Sequence, residues 1–168
     1  QWSTNSYTIA FDGNGNTGGT TSSMTMKFDE TKALTANGYT KTGHTFSKWT
    51  TKSDGSGTSY TNKQSVKNLT STNGATVYLY AQWTANTYTV KFNANGGSGT
   101  MSNLSMTYGT AKNLTANAFT RTGYTFTGWT GSNGATAQTT VTIAKGSTGD
   151  KSYTANWTPI TYYVKYNA

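Results

Sequence analysis

Cysteine is absent from this chain of 168 residues. Disulfide bonds, cysteine-ligated zinc and thiol catalysis are therefore excluded. Charged residues make up 11% of the chain, and five of them are acidic. The sequence has no run of about 18 apolar residues, so it predicts no membrane insertion in this segment. Proline and glutamate each occur once, and no stretch is rich in helix-forming residues.

Aromatic residues are abundant by contrast, at 14% of the chain, with 5 Trp, 12 Tyr and 6 Phe. Each packed ring buries roughly 150–250 Å², which is enough to build small hydrophobic cores. Threonine, tyrosine and valine favour strands, whereas the 19 glycines and the many asparagines favour turns. This composition predicts a mainly β protein, with an α+β fold as the limit.

The sequence repeats itself internally. Residues 34–46 return as residues 114–126, and Trp49 returns as Trp129, in each case 80 positions later. Motifs upstream and downstream recur in the same order at slightly different offsets. Self-similarity at a fixed period is the mark of a tandem repeat. The second copy is the shorter one, mainly between its two tryptophans.

The repeat divides the sequence into four predicted segments. Residues 7–86 form the first copy, named module 1, and residues 87–160 form the second, named module 2. Residues 1–6 match the tail of a preceding repeat, and residues 161–168 match the start of a following one. The joints are short and are not Gly/Ser-rich linkers. We therefore expect closely coupled modules whose first partners are neighbouring repeats of the same chain.

Alternating apolar residues predict the strands of each module. Tyr7, Ile9 and Phe11 alternate with Thr8 and Ala10, a period of two that is typical of a half-buried strand. The Gly/Asn-rich segment that follows has the composition of a hairpin loop. The same alternation predicts three further strands in module 1, around residues 24–28, 42–49 and 77–83.

One element has two interpretations. Val66 and Leu69 stand three positions apart within residues 61–69, which is a helical spacing, so this segment is a short helix or an irregular crossing segment. The nearby segment of module 2, residues 139–143, has the pattern of a strand instead. The two copies thus disagree at this element.

Several motifs in fixed order resemble the Listeria–Bacteroides repeat, the B-repeat type of internalin-like surface proteins. In module 2 they are Tyr-Thr-Val-Lys-Phe-Asn-Ala-Asn-Gly-Gly at residues 88–97, Thr-Gly-Tyr-Thr-Phe-Thr-Gly-Trp at 122–129, and Ala-Asn-Trp at 155–157. Module 1 has the same frame and departs from it at His44 and Lys48, where the family commonly has Tyr and Gly. The resemblance covers nearly the whole chain.

The resemblance implies a β-grasp-like module, with a sheet of about four strands and a short helix or irregular segment crossing it. It also implies a secreted or wall-anchored bacterial protein, in which such repeats act as spacers or accessory adhesive units. It carries no catalytic residue. The structural frame shared by both copies comprises Tyr7, Phe11, Gly43, Phe46, Trp49, Trp83, Tyr88, Phe92, Gly123, Phe126, Trp129 and Trp157.

Polar residues that could form a catalytic or metal site are not shared between the copies. His44, the single histidine, is replaced by Tyr124 in module 2. The segment that begins at Asp12 resembles the start of a calcium loop, but Thr17 and Ser23 stand where an EF-hand requires Gly and Glu. A repeated enzyme is expected to keep its acid and base in both copies. We therefore predict no catalytic, cofactor-binding or metal-binding residue.

A ligand surface is a further hypothesis. Tyr78 and Tyr80 fall on the opposite face of their strand from Leu79 and Trp83, so their rings are available for stacking on glycans. The net charge of +8 is spread over scattered lysines, which favours weak attraction to host or wall polyanions. Dedicated nucleic-acid binding is not expected, because it requires clustered basic residues.

These patterns rank three functions. The first is a non-catalytic stalk or spacer on a bacterial surface, or in a secreted protein, that presents another domain. The alternative is an adhesive module for host or wall polyanions and glycans. An enzyme ranks last, because nothing in the sequence supports it.

Overall fold

A computed structural model, which describes residues 3–166, contains strands and turns but no helix in that range. The prediction of a mainly β protein is confirmed. The strands of module 1 are β1 (Ser6–Asp12), β2 (Gly18–Gly19), β3 (Met24–Lys27), β4 (Lys32–Ala33), β5 (Tyr39–Thr40), β6 (His44–Thr50), β7 (Ser59–Tyr60), β8 (Ser65–Val66) and β9 (Thr76–Ala85). Those of module 2 are β10 (Thr87–Asn93), β11 (Leu104–Thr107), β12 (Lys112–Asn113), β13 (Tyr124–Gly131), β14 (Gly134–Gln138), β15 (Thr142–Ile143) and β16 (Lys151–Pro159).

Each module is built on one five-stranded sheet. In module 1 the strand order is β3-β1-β9-β6-β7, and in module 2 it is β11-β10-β16-β13-β14. Each sheet contains one parallel pair of neighbouring strands, β1 with β9 in module 1 and β10 with β16 in module 2. The other neighbouring strands are antiparallel. The predicted sheet of about four strands is thus extended by a fifth, which is a two-residue edge strand in module 1.

One face of each sheet packs on a hydrophobic core, and the other stays open. In module 1 the central strands contribute alternate residues such as Ile9 and Leu79, which are fully buried. Segments that cross over this face add Leu34 and Val66. Trp49 lies at the centre, with its ring centroid 4.8 Å from that of Phe11. Module 2 builds an equivalent core from its own residues.

A β-bulge in β6 brings two aromatic residues of the structural frame to the same face of the sheet. Phe46 and Trp49 are three positions apart, so a regular strand would point them to opposite faces. The register of β6 against β9 shifts between Phe46 and Lys48, and this extra residue turns both rings to the core. The same shift occurs between Phe126 and Gly128 in β13.

The helical interpretation of residues 61–69 is wrong. Val66 belongs to β8, which pairs antiparallel with β4, and the chain then turns through Asn68 at a φ of 52°. Leu69 therefore also reaches the core, and the spacing of three arises from a strand end followed by a turn. In module 2, β15 pairs with β12 in the same way, so the two copies agree here.

The chain divides into two compact units, and the division falls between Ala85 and Asn86. Asn86 alone separates β9 from β10. The predicted tail of a preceding repeat depends on Gln1 and Trp2, which lie outside the described residues. Of the predicted start of a following repeat, residues 161–166 are described; they are exposed and form no strand.

Candidate functional site

The Gly/Asn-rich loop after β1 is a hydrogen-bonded turn. The Asp12 carboxylate accepts the amide N–H of Asn14 at 2.7 Å, and Asn14 adopts a φ of 48°. The Asn14 side chain donates to the carbonyl of Ala81 on β9 at 2.9 Å. Trp83, two residues further along β9, donates its indole N–H to the carbonyl of Gly13 at 2.9 Å. The Asp12 side chain thus shapes a turn that is fastened to the neighbouring strand.

Module 2 repeats this turn without an acidic residue. Asn93 takes the role of the aspartate, and Asn95 has a φ of 49° and donates to the carbonyl of Ala155 at 2.9 Å. Trp157 donates to the carbonyl of Ala94 at 2.9 Å. Because the neutral amide performs the same task, the turn does not depend on a charge that would hold a cation. Within residues 3–166 no group of three or more acidic or histidine side chains could hold a metal ion.

The remaining carboxylates also accept hydrogen bonds in or beside turns. The amide of Asn68 and the ammonium group of Lys67 lower the pKa of Asp29, and hydrogen bonds from Ser56 lower the pKa of Asp54. Both aspartates are exposed. A general acid at neutral pH requires the opposite shift. The carboxylate of Glu30 accepts a hydrogen bond from the backbone N–H of Lys27. The carboxylate of Asp150 accepts one from the backbone N–H of Thr89.

His44 is half-buried at the start of β6, where its Nδ1 lies 2.8 Å from the carbonyl oxygen of Thr42. Tyr124 stands at this position in module 2, with the guanidinium group of Arg121 4.0 Å above its ring. Gly43 and Gly123 precede these residues with φ values of 68° and 76°, so each ends a left-handed turn that glycine adopts without strain.

The predicted frame aromatics divide into two groups by burial. One group lines the centre of the cores, and the other packs around it while keeping part of its surface exposed. The buried group is Tyr7, Phe11, Trp49, Tyr88 and Trp129. The partly buried group is Phe46, Trp83, Phe92, Phe126 and Trp157.

Each core contains a second phenol beside its first tyrosine. Burial, and to a smaller extent the neighbouring Tyr7, raises the pKa of Tyr60 in module 1. Burial and the neighbouring Tyr88 do the same to Tyr153 in module 2. A phenol therefore occupies similar surroundings in both modules.

The two phenols come from different strands. Tyr153 pairs with Phe92 on the central strand, which is the position of Leu79 in module 1. Gln138 in turn stands on the edge strand where module 1 has Tyr60. The edge strand β7 therefore supplies the phenol in module 1, whereas the central strand β16 supplies it in module 2.

The predicted ligand surface lies on the open face of the module 1 sheet. Tyr78 is 54% exposed, and its ring lies 6.4 Å from that of Tyr80 with an interplanar angle of 27°. Leu79, between them, faces the core. Ser152 and Thr154 hold the equivalent positions of module 2. The aromatic pair is thus specific to module 1.

A cleft of about 460 Å³ opens in module 2. Tyr88 lines it, and its hydroxyl is buried without a hydrogen-bond partner among residues 3–166. The Lys151 ammonium nitrogen lies 6.0 Å from the centroid of the Tyr88 ring. The residues that line the cleft are Asn86, Thr87, Tyr88, Tyr108, Thr148 and Gly149.

Sequence reasoning missed this cleft because Tyr88 has the pattern of a plain core residue. The signal lies in the comparison of the copies. Between β8 and β9 module 1 has residues 67–75, whereas between β15 and β16 module 2 has residues 144–150. Three positions after the paired residues of β8 and β15, module 1 has Leu69 and module 2 has Gly146. The loop of module 2 is thus shorter and has no apolar side chain at this position.

Comparison with known proteins identifies the same repeat in both modules. The Listeria–Bacteroides repeat domain matches residues 7–82 and again residues 88–161. The chain is also 38% identical over 113 residues to a protein of Evansella cellulosilytica described as "Putative Gly-rich membrane protein". This alignment covers 66% of the chain and 12% of that relative. No solved structure matches the chain. Within residues 3–166 the structure has no helix that is long and apolar enough to cross a bilayer. The chain belongs to the Listeria–Bacteroides repeat family, of which it contains two tandem copies.

Proposed function

We propose that this chain is a non-catalytic spacer within a bacterial surface protein, secreted or wall-anchored, and that it presents another domain. The observation that carries the proposal is the construction of the repeat. Each copy has its own sheet and its own core, and the single residue Asn86 separates the last strand of one from the first strand of the next. A connection this short leaves little backbone freedom between modules.

Two further observations support the proposal. All five carboxylates accept hydrogen bonds in or beside turns, which is a structural use of these side chains. The relative from Evansella cellulosilytica is far longer than the matched segment and is named as a membrane protein. Repeats of this family within a long surface protein are well suited to set the distance of another domain from the cell.

Small-angle X-ray scattering of the 168-residue chain tests the spacer function. We expect an elongated two-module particle with a defined distance between the modules, because the connection is one residue long. The matched control is a variant with a flexible Gly/Ser insertion after Asn86, which should broaden the distribution of distances. A wild-type chain as flexible as the insertion variant would contradict the proposal.

An adhesive function is the second candidate, and the aromatic pair of module 1 favours it. Tyr78 is exposed beside Tyr80 on the open face of the sheet, which is the arrangement of a stacking platform for a glycan. The net charge of +8 adds a salt-sensitive attraction to polyanions of the host or the wall.

Retention on a heparin column at about 0.15 M salt tests the charge, because exposed pairs are largely screened at higher ionic strength. A glycan array tests the aromatic pair. The matched variant is Tyr78→Ser with Tyr80→Thr, which gives module 1 the side chains of module 2. Passage without delay together with a blank array would remove this function.

A further inference from the structure

Tyr88 lines the cleft of module 2, and its buried hydroxyl group lacks a hydrogen-bond partner among the described residues. A buried tyrosine hydroxyl usually has a hydrogen-bond partner, because leaving it unpaired forfeits its hydration without replacement. The Tyr88 hydroxyl has no such partner among the described residues, although Tyr88 is 6% exposed and lines an open cleft. Two other buried polar atoms are in the same state, on Trp49 and Asn133, but neither residue lines the cleft.

Module 1 shows how the hydroxyl at the same position is satisfied. Tyr7 is the counterpart of Tyr88, and its hydroxyl accepts the backbone N–H of Leu69 at 3.2 Å. The Leu69 side chain packs against the core at this place. In module 2 the counterpart of Leu69 is Gly146, and the loop is shorter. The loop that supplies both the donor and the leucine in module 1 is therefore the one that differs in module 2.

The lining of the cleft defines the class of ligand. It contains no charged residue, and it combines threonine hydroxyls and an asparagine amide with the rings of Tyr88 and Tyr108. Hydroxyl and amide groups pair with sugar hydroxyls, while tyrosine offers both an apolar ring and a polar tip. A volume of about 460 Å³ lies within the usual range for small-molecule sites, roughly 300–1,000 Å³.

We propose that this cleft binds a neutral saccharide unit, to which the Tyr88 hydroxyl supplies the innermost hydrogen bond. The site is independent of the spacer function and distinct from the Tyr78 and Tyr80 surface, which lies in module 1. It makes the two copies different in kind: module 1 closes this position with its own leucine, and module 2 keeps it open for a ligand.

The test is a titration of the isotopically labelled 168-residue chain, followed by amide chemical shifts in NMR spectra. The probes are glucose, N-acetylglucosamine and cellobiose. We expect at least one probe to give saturable shifts confined to residues 86–88, Tyr108 and residues 148–149. Module 1 should not respond, because Leu69 fills the corresponding position.

Two variants separate binding from folding. Tyr88→Phe keeps the ring and should weaken the affinity about tenfold, the effect of about 1.4 kcal/mol; Tyr7→Phe, its match in module 1, should leave the affinity unchanged. Gly146→Leu restores the apolar residue and should abolish binding; a Cβ at Gly146 meets nothing within 4 Å.

Three outcomes would overturn the proposal. They are the absence of saturable shifts with every probe, shifts spread over both modules, and an affinity that both variants leave unchanged. A dispersed spectrum of each variant without probe shows that its module remains folded.

Discussion

At the scale of single residues, asparagine provides the turn conformation and the contact with the neighbouring strand that glycine or charged residues provide in other proteins. Asn14 and Asn95 adopt left-handed backbone conformations, which asparagine tolerates better than most residues. Each also binds the neighbouring strand through its side chain. The pairing of these two properties explains why both modules have asparagine at a place where glycine alone would satisfy the backbone.

Substitutions at Asn14 separate the two contributions. Asn14→Gly keeps the backbone conformation and loses the side-chain bonds, so we expect a loss of about 1 kcal/mol in unfolding free energy. Asn14→Ala loses the same bonds and, unlike glycine, keeps a Cβ in the left-handed region without the polar side chain that lets asparagine tolerate it, so it should lose about 1–2 kcal/mol more. Urea unfolding measures both. An alanine variant as stable as the glycine variant would refute the backbone contribution.

The phenols of Tyr60 and Tyr153 make stability depend on alkaline pH. The pKa values of Tyr60 and Tyr153 are raised, so the folded chain holds these protons more tightly than the unfolded chain. Their contribution is complete below the unfolded pKa of about 10 and is lost as pH rises through the folded values. We expect urea midpoints to fall above about pH 10. Tyr60→Phe should reduce this fall in module 1 alone; an unchanged pH dependence would contradict the assignment.

At the scale of secondary-structure elements, the alternation of apolar residues was a sufficient guide wherever a strand is long. Tyr7, Ile9 and Phe11 predict β1 because a period of two has one structural solution. Val66 and Leu69 misled because a two-residue strand followed by a turn produces the same spacing as a helical turn. The bulge after Phe46 could not be predicted, since it depends on pairing with a strand distant in sequence.

The candidate sites follow the same logic. Comparison of the two copies identified Tyr78 and Tyr80 as specific to module 1. This was possible because alternate residues of a strand lie on the same face, so the residues of the open face can be compared directly in the sequence. The cleft beside Tyr88 could not be derived in that way. The residues that line it come from three separate segments of the chain, which only the fold brings together.

The bulge of module 2 provides a prediction at this scale. Gly128 has a φ of 136°, and a Cβ there would lie 2.7 Å from the backbone of Gln138 on β14. Gly128→Lys introduces the residue that module 1 has at this position and should destabilise module 2 by about 1–3 kcal/mol. Thermal unfolding measures the loss, with Gly146→Ala as the control in open space. Equal stability of the two variants would show that the close approach does not matter.

At the scale of the whole molecule, the chain consists of two small cores in sequence. Every residue of the first core lies before Ala85, and every residue of the second lies after Asn86. Modules of this size bury a modest fraction of their surface, so each has limited stability of its own. The central tryptophans, Trp49 and Trp129, are the largest fully buried side chains of their cores.

Removal of one central tryptophan should therefore affect one module. Trp49→Ala is expected to cost about 3–5 kcal/mol, which is enough to unfold module 1. Amide signals of module 2 should keep their positions and their protection from hydrogen exchange. Trp129→Ala is the mirror experiment. Collapse of both sets of signals in either variant would show that the modules fold as one unit.

The parallel pairing of the first and last strands of each module has a mechanical consequence. The chain enters module 1 at the start of β1 and leaves at the end of β9, and these strands are parallel neighbours. Tension on the two ends of a module pulls these strands past each other along their length. The hydrogen bonds between them are then loaded together in shear, whereas a hairpin pulled at its open end loses its bonds one at a time. Module 2 has the same parallel pair in β10 and β16, so an array of these repeats would resist stretching at every link.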